Sequence, residues 1–241
     1  MPIAFKRILL KLSGEALAGD KTYSVDPQLA RRVAAELKDI YESGVEIGIV
    51  VGGGNIYRGA PGALTGIPQA SGDFMGMLAT VINALALKEF FEQAGMQTTV
   101  FTAIQMDKIA PLFVRQKALQ SLAQKKVVII AAGTGNPCFT TDTAAALRCI
   151  EIEADLLIKA TKVDGIYDMD PVNNPDAVKI DLISHEEALR RGLKILDAAA
   201  FSLCMDHAIP IKVIKLFEHG NLRKCVEGAS VGSLVKKGAN Q

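Results

Sequence analysis

Six runs of apolar, mostly β-branched residues set the strongest limit on how this chain folds. They are RILLKL (7–12), EIGIVV (46–51), TTVFTA (98–103), KVVIIAA (126–132), DLLIKAT (155–161) and IPIKVIK (209–215). Their apolar character is nearly continuous, without the strict alternation of a half-exposed strand. Parallel strands covered on both faces have this pattern. Between them lie segments of helical spacing. DPQLARRVAAELKDIYESG places Asp26 as an N-cap, Pro27 at the first helical position and Gly44 as a stop. Its Leu29, Val33, Ala34, Leu37 and Ile40 or Tyr41 share one face. SHEEALRRG (184–192) opens with Ser184 and sets Glu187 three residues on, a capping-box pattern. The alternation predicts an α/β fold, a three-layer α/β/α sandwich with a mainly parallel central sheet.

No internal repeat, low-complexity segment or linker divides the 241 residues, so residues 1–241 read as one domain. Its N-terminal half is expected to bind an acceptor and its C-terminal half a nucleotide. Residues 72–94 are apolar on nearly every face, which a helix tolerates only when covered all round. Two readings stand: a central core helix, or a subunit interface. The stretch 75–91 is interrupted by Thr80, Asn83, Lys88 and Glu89, too polar and short for a membrane span.

Three glycine-bearing loops follow predicted strands: KLSGEALAGD (11–20), VGGGNIYRGA (51–60) and AAGTGNPCFTTD (131–142). In a parallel sheet they emerge together at the carboxyl edge, where ligands bind. Glycine lets backbone N–H groups approach a phosphate, and a following helix adds its positive end. The standard fingerprints fail. GEALAGDKT puts Asp20 where a Walker loop needs lysine, and GTGNPC ends in Cys138 where a dinucleotide loop needs glycine.

The formal net charge is only +1, so no surface is built to coat a polyanion, and neither nucleic acid nor membrane is an expected partner. Phosphate binding must come from a few placed groups. Lys11 sits in an apolar strand beside Ser13 and Gly14, a costly place unless it reaches a partner or the solvent edge. Arg58 follows GGGN, where its planar fork could clamp phosphate oxygens; a plain surface arginine is the alternative. Asp73 and Asp142 each read as a helix-start cap. Asp73 could also accept from a sugar's vicinal hydroxyls, and Asp142 could orient Lys11. In KATKVDGIYDMDP (159–171), Tyr167 and Asp170 read either as parts of a turn or as a wall for a purine base.

His185, His207 and His219 have no metal-ligand spacing and are expected at the surface or half-buried. Neither a Ser-His-Asp constellation nor G-x-S-x-G is evident. Four cysteines without a C-x-x-C pair point to a reducing cytoplasm, and the N-terminal MPIAFKRILLKLSGEAL does not read as a signal peptide.

KLSGEAL, GGGNIYRG, GDFMGMLAT, GTGNPCFTTDTAAALR and KATKVDGIYDMDP, in this order, closely resemble the bacterial uridylate (UMP) kinases of the amino acid kinase superfamily. The likeness runs from Lys6 to about Val235. It implies an amino acid kinase-like fold and transfer of the γ-phosphoryl group of ATP, with Mg²⁺, to UMP, giving UDP and ADP for pyrimidine nucleotide synthesis. By the resemblance, Lys11, Leu12, Ser13, Gly14, Gly54 and Arg58 border the ATP phosphates, and Thr161, Tyr167 and Asp170 hold its nucleoside. Gly53 and Asp73 contact UMP. Thr134, Gly135, Asn136, Pro137, Cys138, Phe139, Thr140 and Thr141 wrap the uracil and the acceptor phosphate, and Asp142 organises the catalytic Lys11. No protein ligand to the metal is implied. The resemblance also implies a homohexamer, with GTP as activator and UTP as inhibitor. The matching effector segment is Gly19, Asp20, Lys21, Thr22, Tyr23 and Ser24, less glycine-rich than in similar proteins. Cys138 stands where phenylalanine is common. The rival readings are a carboxylate or carbamate kinase of the same superfamily and a non-catalytic nucleotide sensor.

Overall fold

All six apolar runs form strands, and the sheet they build decides where the site lies. The computed structural model describes residues 3–19, 25–57 and 66–238. Its strands are β1 (Arg7–Leu12), β2 (Glu46–Val51), β3 (Thr98–Thr102), β4 (Val127–Ala131), β5 (Leu156–Thr161), β6 (Ile166–Tyr167), β7 (Lys179–Ile180), β8 (Leu182–Ser184), β9 (Ile211–Lys215) and β10 (Ser233–Lys236). Its helices are α1 (Pro27–Glu42), α2 (Gln69–Gln93), α3 (Arg115–Ala123), α4 (Thr141–Glu151), α5 (His185–Arg190), α6 (Ala198–Asp206) and α7 (Asn221–Val226). A 3₁₀ turn, Gly14–Leu17, follows β1.

The main sheet has the order β3-β4-β2-β1-β5-β9-β10-β8. The first six strands are parallel. β10 pairs antiparallel with β9, and β8 runs with β10. From β1 the chain adds β2 beside it, then β3 at the edge and β4 between β3 and β2, before it returns to β5 on the other flank. β1 therefore sits at the topological switch point, where a ligand crevice opens beyond the strand ends.

Alternate residues of β1 serve opposite layers. Ile8, Leu10 and Leu12 join a core with α1, α2 and α7, while Leu9 joins one with α3, α4 and α6. Each fully buried leucine or isoleucine contributes about 1.5–3 kcal/mol. This two-sided burial is why the strands read as unbroken apolar runs.

α1 starts as the sequence indicates. The Asp26 carboxylate accepts from Gln28 N–H at 2.7 Å and Leu29 N–H at 3.4 Å, with Pro27 at the first position. Gly44 ends the turn at φ +84°. At α5, Ser184 accepts from Glu187 N–H at 3.0 Å, but the Glu187 side chain pairs with Arg190 rather than completing a capping box. α2 is longer than the run that announced it. It buries Val81, Ala84, Leu87 and Phe91 against the sheet and leaves Phe74, Met75, Leu78 and Ile82 exposed.

The histidines are not all peripheral. His207 and His219 are exposed, but His185 is fully buried, its Nε2 3.0 Å from the Ile209 carbonyl oxygen and its ring edge-on to Phe201. Burial holds its pKa below the ordinary value. Burial also pushes the Cys204 and Cys225 thiols up to about 12; Cys138 is exposed.

Candidate active site

The glycine bends do converge. β1, β2 and β4 are parallel neighbours, so the chain leaves all three at one edge. The first two bends are in contact: a Cβ on Gly14 would lie 2.5 Å from Asn55 Oδ1 and 2.6 Å from the Gly52 carbonyl oxygen. Only glycine lets β1 and β2 end this close together. A Cβ on Gly53 would strike the Gly76 carbonyl oxygen at 2.7 Å, so α2 packs directly on the second bend. Gly54 has open space above it. Within α2, Asn83 is wholly buried; its amide donates to the Gly52 carbonyl at 2.7 Å and exchanges two hydrogen bonds with Asn55. This interruption of the apolar helix is therefore a bracket for the bend.

The third bend is conformationally unusual. Ala132, Gly133, Gly135 and Cys138 have φ of +62°, +59°, +81° and +71°. For alanine and cysteine such a backbone costs about 1–3 kcal/mol each, so the surroundings must hold it. Thr80 accepts from Ala132 N–H at 2.8 Å, and Asp73 Oδ2 accepts from Cys138 N–H at 2.8 Å. Both brackets come from α2. Asp73 lies one turn inside that helix and does not cap it, because the side chain is engaged across the cleft.

A cleft of about 230 Å³ lies between α2 and this bend. Gly53, Gly54, Asp73, Thr134, Asn136, Phe139, Thr140 and Thr141 line it; Gly135, Pro137 and Cys138 stand outside its lining. Tyr57 and Thr80, neither of them expected at the site from the sequence, line it too. A second, roomier cleft of about 660 Å³ opens beyond β5 and β9, lined by Lys159, Thr161, Tyr167 and Asp170 among others. There the Tyr167 hydroxyl donates to Asp164 at 2.6 Å, and Asp170 caps a turn by accepting from Val172 N–H at 2.9 Å. The Thr161 hydroxyl donates to the Val163 carbonyl at 2.6 Å. Leu12 is buried and can offer a ligand only its backbone. Ser13 accepts from Glu15 N–H at 3.3 Å.

Between the clefts, on the central strands, stands a charge cluster. Lys11 Nζ lies 2.8 Å from Asp142 Oδ1, and Lys159 Nζ lies 2.9 Å from Asp142 Oδ2. Lys159 also donates to the Ile195 carbonyl at 2.6 Å. The side chains are 14% (Lys11), 14% (Asp142) and 20% (Lys159) exposed. Burial opposes ionisation of Asp142, but Lys11 and then Lys159 outweigh it and hold the carboxyl below its usual value. The cluster therefore carries two positive charges and one negative, a net +1 facing the strand ends.

Asp142 is not the cap of α4. Thr140 is, its hydroxyl oxygen accepting from Asp142 N–H and Thr143 N–H at 3.0 and 3.4 Å. The Thr140 hydroxyl donates in turn to Asp197, the cap of α6, which also accepts from the Thr143 hydroxyl at 2.9 Å. Asp197 was legible only as an acid ahead of three alanines. Lys159 had a clearer sign: ILLK and LLIK each end a triple of large apolar residues in lysine, and the parallel register sets Lys11 opposite Lys159. Arg58 lies outside the described residues, as do Asp20, Lys21, Thr22, Tyr23 and Ser24 of the expected effector segment. Gly19 is described, at φ +57°.

A rim that offers backbone amides and paired ammonium groups suits the transfer of a phosphoryl group, the chemistry of a phosphotransferase of the α/β class. The comparison with known families makes that class specific. The Amino acid kinase family model matches residues 6–215, and the chain belongs to that family. Among solved structures, it is similar to the UMP kinase from Bacillus anthracis at 33% identity and a TM-score of 0.94, covering 98% of this chain and 97% of that one. The UMP kinase from Ureaplasma parvum is 32% identical with a TM-score of 0.91, over 98% and 100% of the two chains. The uridylate kinase from Archaeoglobus fulgidus is 27% identical with a TM-score of 0.73, over 95% and 99%.

Proposed function

We propose that this protein transfers the γ-phosphoryl group of ATP to UMP, giving UDP and ADP. The observation that carries the reading is the Lys11–Asp142–Lys159 cluster standing between two clefts, supported by the near-complete likeness to UMP kinases. The smaller cleft takes UMP and belongs mainly to the N-terminal half. The larger takes the nucleoside of ATP and belongs to the C-terminal half.

The acceptor atom is a phosphate oxygen, largely ionised at neutral pH because its second pKa is about 6. No base has to remove a proton. The protein's task is position and positive potential for an in-line, loose transition state. Lys11 and Lys159, fixed on adjacent strands, present ammonium groups where charge moves between donor and acceptor. Asp142 holds both in place and keeps their repulsion tolerable. Arg58 is assigned to the same clamp.

No group of three or more Asp, Glu, His or Cys side chains able to hold a metal occurs among the described residues, and Asp142 is committed to two lysines. These residues fit a Mg²⁺ bound through the ATP phosphates, a hard-cation arrangement that needs no protein cage. When bound, it neutralises phosphate charge. The exposed row Phe74, Met75, Leu78 and Ile82 on α2 supports self-association, and the sequence resemblance makes a homohexamer the proposed assembly. A cytoplasmic location, GTP activation and UTP inhibition rest on the sequence reading alone.

ADP release across a panel of nucleoside monophosphates, with acetylglutamate and carbamate alongside, tests the reaction. UMP is expected to stand clear of the rest; release with a carboxylate instead, or with none, overturns the reading.

Asp73 gives a sharper test. One oxygen accepts from Cys138 N–H; the other has no hydrogen-bond partner among the described residues and is assigned to a ribose hydroxyl. Asp73→Asn is expected to raise the KM for UMP about tenfold, the worth of one charge-assisted hydrogen bond, and to leave the KM for ATP alone. It should also erase the preference for UMP over deoxy-UMP. An unchanged preference removes Asp73 from the ribose contact.

A further inference from the structure

Arg148 is the one arginine of α4, and its place is expensive. It is 5% exposed, in a helix whose other buried residues are Thr143, Ala144, Ala145, Ala146 and Cys149. Its guanidinium lies 4.4 Å from the centre of the Phe113 ring, and Nη1 pairs with Glu151 at 2.5 Å. Nε is buried without a hydrogen-bond partner. For stability alone, a well-packed apolar side chain would serve at least as well. What the arginine adds is its remaining contact: Nη2 donates to the Gly133 carbonyl at 3.2 Å.

Gly133 belongs to the bend held by Thr80 and Asp73 from α2. Those two brackets grip its ends, at Ala132 and Cys138. The Gly133 contact lies between them and comes from the opposite layer. It also comes from the helix that carries Asp142 in its first turn. We propose that Arg148 is a positioning residue: it fixes the acceptor bend to α4, so that the UMP phosphate and the lysine cluster are set by one rigid rod. This rests on the UMP-kinase reading above and names the residue that gives that site its acceptor geometry.

The test is steady-state kinetics of the full chain with UMP and ATP varied separately. Arg148→Met is expected to raise the KM for UMP about tenfold or more, with the KM for ATP within about twofold, as loss of one charge-assisted bond to the bend requires. Arg148→Lys should fall between, since an ammonium can reach the carbonyl but cannot stack as a plane. Glu151→Gln should keep the parental KM for UMP. A parental KM for UMP in Arg148→Met, or an equal rise in both KM values, overturns the role. If Arg148→Met does not fold, Arg148→Lys decides by the same criterion.

Amide hydrogen exchange across residues 133–138 reads the bracket without substrate. Faster exchange in the Arg148 variants, confined to the bend, supports the proposal; parental exchange there overturns it. Parental protein that releases no ADP with UMP defeats the assigned reaction, while exchange still reports on Arg148.

Discussion

Alanine at position 11 is expected to lower turnover about a hundred- to a thousandfold while the protein stays folded. One donor aimed at developing charge is worth about 3 kcal/mol in comparable sites. Here the electrostatic change is plain. Lys11, Asp142 and Lys159 sum to +1, and without Lys11 the sum is zero. The fold survives because Asp142 keeps Lys159 as a partner, so no buried carboxylate is stranded. KM values for both nucleotides should move less than kcat, because the lost charge acts on the group in transit. Rapid ADP-release kinetics with a melting curve would check this. Turnover close to parental would remove Lys11 from the transition state.

Asp142→Asn is the more disruptive change. It leaves two lysine ammonium groups facing each other with no anion between them, and losing one partner of a buried pair costs about 3–5 kcal/mol. Activity should fall with stability, since both cations lose their anchor. The pH dependence gives a signature. The folded pKa of Asp142 lies below its unfolded value. Its ion pairs therefore stabilise the fold fully above about pH 4, the ordinary carboxylate range. That contribution is lost as pH falls through the lowered folded value. The variant should start less stable at pH 7 and lack this part of the acid loss. Urea unfolding at pH 7 and on acidification separates the cases; an asparagine variant as stable as the parent at pH 7 would mean the cluster is not coupled as described.

The sheet was legible because two-sided burial writes itself directly into composition: a strand buried on both faces has few polar positions. β8 and β10 left no such trace, being short and near the sheet's end. β6 and β7, two residues each, are held by one antiparallel pairing and a contact between Lys179 and Asp164, which no local pattern announces. In the site, the glycine bends and Lys11 stood out because each breaks a rule at its own position. Lys159 breaks the same rule as Lys11, but its meaning arises from a strand neighbour far away in sequence. Asp73 and Asp142 read either as helix-start caps or as site residues, and the second reading holds for Asp142, which pairs with Lys11; Asp73 is taken by Cys138 N–H across the cleft. His185 shows the reverse error, a polar residue assumed peripheral and found among apolar neighbours.

The position of β10 has a consequence for how the molecule is made. Among the described residues β8 pairs only with β10 in the sheet, and β10 is synthesised well after β8 while lying between β8 and β9. During translation the earlier strands can assemble as they emerge, as domains generally do. β8 must wait, its edge open, until β10 leaves the ribosome. A stalled nascent chain ending before Ser233 should therefore carry a finished parallel core and a loose flap, the part that proteases and chaperones would meet first.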